Sequence, residues 1–165
     1  MHLPRQGAKF CTSKCRVYAH RAAKRLPAFP AAMTGRDRWV RRAADKRPLT
    51  VTGRAASCTD PRTWSSFATA AASAAGAGLG YCLGDGIAAW DFDHCIVDGE
   101  LAGWAREAIA DIRDPLLIEV SQSGEGAHVF VEAPEGPGRR IRDGRNIEFY
   151  SAGRYIAVTG NKLTL

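Results

Sequence analysis

From residue 79 to residue 158 the sequence is a succession of short β-rich runs cut by glycine-bearing turns, and this rhythm most narrows the available folds. Residues 79–83 and 87–92 hinge at Gly84-Asp85-Gly86, a hairpin signature. LLIEVSQS and AHVFVEA flank Gly124-Glu125-Gly126, and NIEFYS and RYIAVTG are joined across residues 151–153. Two helical patterns interleave with these runs. TDPRTWSSFATAAASAA has Pro61 at a first helical position, with Trp64, Phe67 and Ala71 on one buried face, and residues 76–80 end it. DGELAGWAREAIADI reads as an amphipathic helix with Leu101, Trp104, Ala108 and Ile112 on one face. A shorter strand and turn, LTVTG, follow Pro48. The order is helix, hairpin, helix, hairpin, hairpin. That predicts an α+β protein with a largely antiparallel sheet and helices on one side.

Charge divides the 165 residues unevenly. Residues 1–48 hold thirteen Lys and Arg against Asp37 and Asp45, a net of +11, while residues 49–165 net −5. A basic arm or small module over residues 1–45, joined to a domain over residues 46–165, is the organisation expected. Such asymmetry suits a polyanion held beside a metal-binding centre. No apolar run approaches the roughly 18 residues that cross a bilayer, and MHLPRQGAKFC lacks a secretory pattern, so a cytoplasmic protein with no membrane partner is expected. The five cysteines are scattered, which suits reduced thiols better than a disulfide framework. Cys11, Cys15 and His20 offer part of a zinc site that still needs a fourth donor, for which His2 is badly spaced.

The chemistry concentrates in IAAWDFDHC. Strand alternation sends Asp91 and Asp93 to one face, about 6.6 Å apart at the backbone, and Trp90 and Phe92 to the other. Two carboxylates so placed call for a cation, and oxygen donors favour Mg²⁺ or Mn²⁺. His128 follows the Ser123-Gly124-Glu125-Gly126 turn, where it and the turn N–H groups can meet a phosphate. Glu148 alternates with Ile147 and Phe149, a third acid on a neighbouring strand. Arg139, Arg140, Arg142 and Arg145, with Arg154 further on, form a guanidinium cluster suited to phosphate oxygens. Gly76, Gly78 and Gly80 follow a helix and precede a strand, the reverse of a phosphate loop.

In order, TDPRTWSSFATA, GLGYCLGDGIAAWDFDHCIVDGELAGWAREAI, IEVSQSGEGAHVFVEA and NIEFYSAGRYIAVTGNKL resemble the N-terminal primase-polymerase domain of phage and plasmid replication proteins, in the archaeo-eukaryotic primase superfamily. The resemblance implies an archaeo-eukaryotic primase-like core, with an RRM-like sheet and a small α/β unit, behind the basic arm. It implies Asp91, Asp93 and Glu148 as ligands for two divalent ions in nucleotidyl transfer. It also implies Ser123 and His128 on the nucleotide's phosphates. From the guanidinium cluster, Arg140, Arg142 and Arg154 would add further phosphate contacts. DNA template, primer and nucleoside triphosphates would be the partners, with a helicase or a helical priming domain on another chain. A metal-dependent nuclease would use the same acids to activate water. A non-catalytic nucleic-acid-binding module would need none of them, and would rely on exposed aromatics such as Tyr150 and Tyr155.

Overall fold

The computed structural model describes residues 28–165. Its strands form two antiparallel sheets and a short ribbon. The first sheet has four strands: β1 (Trp39–Arg42), β2 (Pro48–Leu49), β3 (Gly78–Cys82) and β11 (Tyr155–Val158), in the order β11-β3-β1-β2. The second has five: β4 (Ile87–Asp93), β7 (Leu117–Val120), β8 (Ala127–Glu132), β9 (Arg139–Ile141) and β10 (Asn146–Tyr150), in the order β7-β8-β4-β10-β9. β5 (Ile96–Val97) and β6 (Glu100–Leu101) make the ribbon.

Strand alternation gives the five-stranded sheet two apolar faces. One carries Ile87, Ala89, Leu117 and Phe130, which meet Leu79, Tyr81, Ile156 and Val158 of the four-stranded sheet. Met33, from the short helix α1 (Ala31–Thr34), and Ala70, from α2 (Phe67–Ala72), close this first core. Trp39 lies at its centre, fully buried, with its indole N–H donating to Met33 O at 3.0 Å. Phe29, Phe67 and Tyr81 pack around it at centroid distances of 4.9, 4.8 and 5.1 Å. The opposite face, with Ala88, Phe92, Val129, Ile147 and Phe149, packs on α3 (Gly103–Ala110) through Ala105 and Ile109.

The β7–β8 hairpin forms as expected from the sequence, and α3 forms over a shorter span than expected. Trp104 and Ala108 lie on its core face, while Leu101 belongs to β6 and Ile112 follows the helix, both still packed on the same core. Two other hairpins do not form. β3 already pairs with β1 and β11, and β4 with β8 and β10, so neither has a free edge for the other. Gly84, Asp85 and Gly86 all take positive φ (127°, 54° and 81°), and the turn closes a single bridge, Gly84 to Ile87, before the strands part into different sheets. β10 and β11 separate in the same way at residues 151–154, since β10 is occupied by β4 and β9. These two crossovers lie side by side, joined by Leu83 N–H donating to Arg154 O at 2.8 Å.

Three further expectations change. The helix from Pro61 is two pieces: a 3₁₀ turn over Pro61–Thr63 capped by Asp60, and α2 capped by Ser66. Between them Ser65 pairs with Trp39, so Trp64 and Phe67 do not share one helix face. The helices serve two sheets rather than one side of a single sheet. The boundary after residue 45 gives way too, because β1 is an inner strand whose Trp39 and Val40 are fully buried. Its basic flanks hide two of the most buried positions in the core. Cys58, Cys82 and Cys95 are free thiols, the last two buried.

Candidate active site

Antiparallel register draws five polar side chains into one row across the five-stranded sheet. Glu119 of β7 is opposite His128 of β8, His128 opposite Asp91 of β4, Asp91 opposite Glu148 of β10, and Glu148 opposite Arg140 of β9. Alternation puts this row on the face that carries Ala89 and Phe130, beyond the point where the first core ends. Asp93 lies two residues along β4, opposite Asn146, whose amide N–H donates to Asp93 Oδ2 at 2.9 Å. His94 follows with φ 51°, so the chain turns away as soon as the second aspartate is placed. A cleft of about 220 Å³ opens beside the row, lined by Asp91 and His128 on one sheet, Tyr155 on the other, and Lys46 and Gln122 from the loops.

Each acid has a different environment. Asp91 is partly buried; burial raises its pKa above the usual carboxylate value, His128 opposes that, and Asp93 and Glu148 add to it. Glu148 goes the other way: the Tyr150 hydroxyl donates to it at 2.7 Å, Arg142 pairs with it, and Arg140 Nε lies 3.3 Å away, so its pKa is lowered. Glu119 is fully buried and accepts hydrogen bonds from Thr159 N–H at 3.1 Å and Gly160 N–H at 2.7 Å. It also accepts from His128 Nδ1 at 2.9 Å. With Nδ1 committed, His128 Nε2 is the nitrogen left facing Asp91, 3.7 Å from Oδ1, too long for a direct hydrogen bond.

Of the expected phosphate contacts, Arg140, Arg142 and Arg154 gather around Glu148 and Tyr150. Arg154 lies 4.7 Å over the Tyr150 ring. Arg139 instead packs over Phe149 and Trp90 on the far face, and Arg145 pairs with Asp143. Ser123 is at the exposed tip of the β7–β8 turn, its hydroxyl accepting from Glu125 N–H at 3.3 Å. Ser121, two residues earlier, closes that turn by accepting from Gly126 N–H at 3.2 Å. Tyr155 is spent on structure, its ring lying over Gly80 and its hydroxyl donating to Lys46 O at 2.9 Å. Cys11, Cys15 and His20 lie outside the described residues.

Among the described residues, no three His, Cys, Asp or Glu side chains converge into a ready metal cage. The donor set nevertheless fits a divalent ion of the Mg²⁺ type, which takes a few carboxylates and completes its shell with water and substrate phosphate. Asp91 and Glu148 are direct cross-strand partners, and burial beside two other acids makes Asp91 costly to ionise without a cation. Glu148 presently takes its positive charge from arginine.

The family model for the N-terminal domain of bifunctional DNA primase/polymerase matches residues 18–164. The chain belongs to this bifunctional DNA primase/polymerase family. A DNA primase-polymerase of Nitratiruptor phage NrS-1 is 34% identical over a 119-residue alignment that covers 66% of this chain and 16% of that protein. The chain thus spans about a sixth of the length of the curated relative it matches. The primase/polymerase match begins at residue 18, ahead of β1, in keeping with the place of β1 inside the sheet.

Glu119 is the polar member of the row that sequence reasoning missed. Its signal was an acid at an inward position of LLIEVSQS, between Leu117 and Ser121, which are both buried. Lys46 and Gln122 carried no pattern at all, since only the packing of two sheets brings their loops to the cleft.

Proposed function

We propose that this chain is a nucleotidyl-transfer module that adds nucleotides to a strand on a DNA template, as a DNA primase/polymerase. The observation that carries this is the acidic row: Asp91 and Glu148 opposite one another, Asp93 beside them, and guanidinium groups at the Glu148 end. In this reading the five-stranded sheet backed by α3 is the RRM-like half. The four-stranded sheet with α1 and α2 is the small α/β half, and the cleft between them takes the nucleotide.

Asp91, Asp93 and Glu148 would hold Mg²⁺ or Mn²⁺, which when bound activates a 3′-hydroxyl and offsets charge on the leaving pyrophosphate. The remaining work falls to the protein's own groups. Glu148 releases Arg142 and Arg140, whose guanidinium groups then pair with triphosphate oxygens. His128, its ring fixed by Glu119, presents Nε2 to the same phosphates. DNA and nucleoside triphosphates are the partners in this reading.

The test is extension of a labelled primer, and synthesis on an unprimed template, with dNTPs or NTPs. The Asp91→Ala, Asp93→Ala double variant should lose all lengthening while keeping its circular dichroism spectrum, and EDTA should do the same to the unaltered chain. Undiminished extension in the double variant would overturn the assignment. Shortening of the labelled strand would make the module a nuclease, and metal-independent binding without turnover would make it a binding module.

A further inference from the structure

Arg42, the last residue of β1, is turned inward and only 9% exposed. Its guanidinium lies flat against Gly78: a Cβ there would come within 2.7 Å of Nε, Cζ and Nη2. The bare glycine makes the room. Arg42 takes part in none of the ion pairs among the described residues, and its Nε has no hydrogen-bond partner there. Arg41, beside it, is spent on structure, its Nε donating to Ala75 O at 2.6 Å. A buried cation with no anion and a second cation next to it is unfavourable unless a ligand supplies the missing charge.

Arg42 lines a cavity of about 360 Å³ whose other polar lining is Arg41, Ser121, Gln122, Thr159 and Asn161, with no Asp or Glu among the lining residues. Gln122 also lines the acidic cleft, so the two spaces adjoin. Its amide N–H is used on Ala44 O at 3.3 Å, while its buried Oε1 is unpartnered. A positively charged, acid-free cavity next to an acidic cleft is a counterpart for the anionic part of whatever enters that cleft.

We propose that this cavity is a phosphate-binding subsite, in which Arg42 holds a phosphate oxygen of the strand or nucleotide entering the acidic row. The proposal rests on the nucleic-acid reading of the cleft but requires neither metal nor turnover. Its test is therefore binding in EDTA. The full chain is labelled with ¹⁵N, and the Arg42 Nε–H resonance is assigned by its loss in Arg42→Lys. A short oligothymidylate and a dNTP are then titrated separately. The Arg42 resonance should move with one of them, and Arg42→Gln should weaken that ligand about tenfold, as loss of a charge-assisted hydrogen bond implies. Movement with the oligonucleotide alone identifies a strand phosphate; movement with the dNTP alone identifies the triphosphate. If other cleft resonances respond while that of Arg42 stays still, the subsite is overturned and the nucleic-acid reading survives. If no resonance responds to either ligand, the subsite is overturned, and the metal-dependent extension assay decides the nucleic-acid reading by itself. Because the reading is made on the unaltered chain, a poorly folding variant does not blunt it.

Discussion

Glu119 acts through His128, and that dependence can be measured. Its carboxylate is held by two backbone N–H groups and in turn holds Nδ1, so the imidazole has one orientation and one free nitrogen. Glu119→Gln exchanges one acceptor oxygen for a donor facing N–H groups, at a cost of about 1–3 kcal/mol in stability. Extension should fall about 10–100-fold, the usual effect of losing a carboxylate that orients a histidine. A positioning role also shifts the pH profile of kcat/KM, which a merely structural defect would leave in place; an unshifted profile would refute it. Asp91 and Glu148 should respond to pH in opposite senses. The folded-state pKa of Asp91 is raised, so stability present below the unfolded carboxyl value is lost as pH rises through the folded one. Asp91→Asn should therefore melt higher than the unaltered chain at neutral pH, with the gap closing in acid. Glu148, with a lowered pKa, contributes stability above the unfolded value that is lost as pH falls through the folded one. Glu148→Gln should melt lower at neutral pH. Melting curves across pH, without divalent ions, check both signs.

At the scale of elements, what was legible followed from alternation and what was not followed from partner choice. IAAWDFD reads as a strand with two acids on one face because period 2 is a local property, and β4 has that geometry. The pairing of β3 with β1, and not with β4, depends on which edges are already occupied, and no turn sequence encodes that. Gly84-Asp85-Gly86 does close a tight turn, with positive φ at Asp85 and Gly86 and a Gly84–Ile87 bridge, yet the strands that leave it join different sheets. β1 is hidden for another reason: it falls in the basic stretch read as an arm over residues 1–45, although Trp39 and Val40 are core residues. The consequence is testable. Trp39→Ala removes the centre of an aromatic nest and should cost about 3–5 kcal/mol. A chain beginning at residue 46 lacks an inner strand and should give no cooperative melting transition. A well-folded 46–165 fragment would return β1 to a dispensable arm.

Across the whole molecule the charge is divided by position in the chain, and the described fold turns part of that division into facing surfaces. Lys46 and Tyr155 stand across the cleft from Asp91, while Arg42 opens on the adjoining cavity. Residues 1–27 add seven Lys and Arg and no acid. On a flexible single strand each phosphate contact contributes about 0.7 to the slope of log affinity against log salt. If the N-terminal residues grip the strand, a chain beginning at residue 28 should bind oligothymidylate with a shallower slope and weaker affinity at low salt. Arg140→Gln, Arg142→Gln and Arg154→Gln should leave that slope nearly unchanged and instead raise the KM for the nucleotide, because their guanidinium groups surround Glu148 at the catalytic end of the row. Anisotropy titrations at several salt concentrations, paired with extension kinetics, separate the two. A slope unchanged by removing residues 1–27 would place the grip within residues 28–165, where the basic β1–β2 side of the cleft is the candidate.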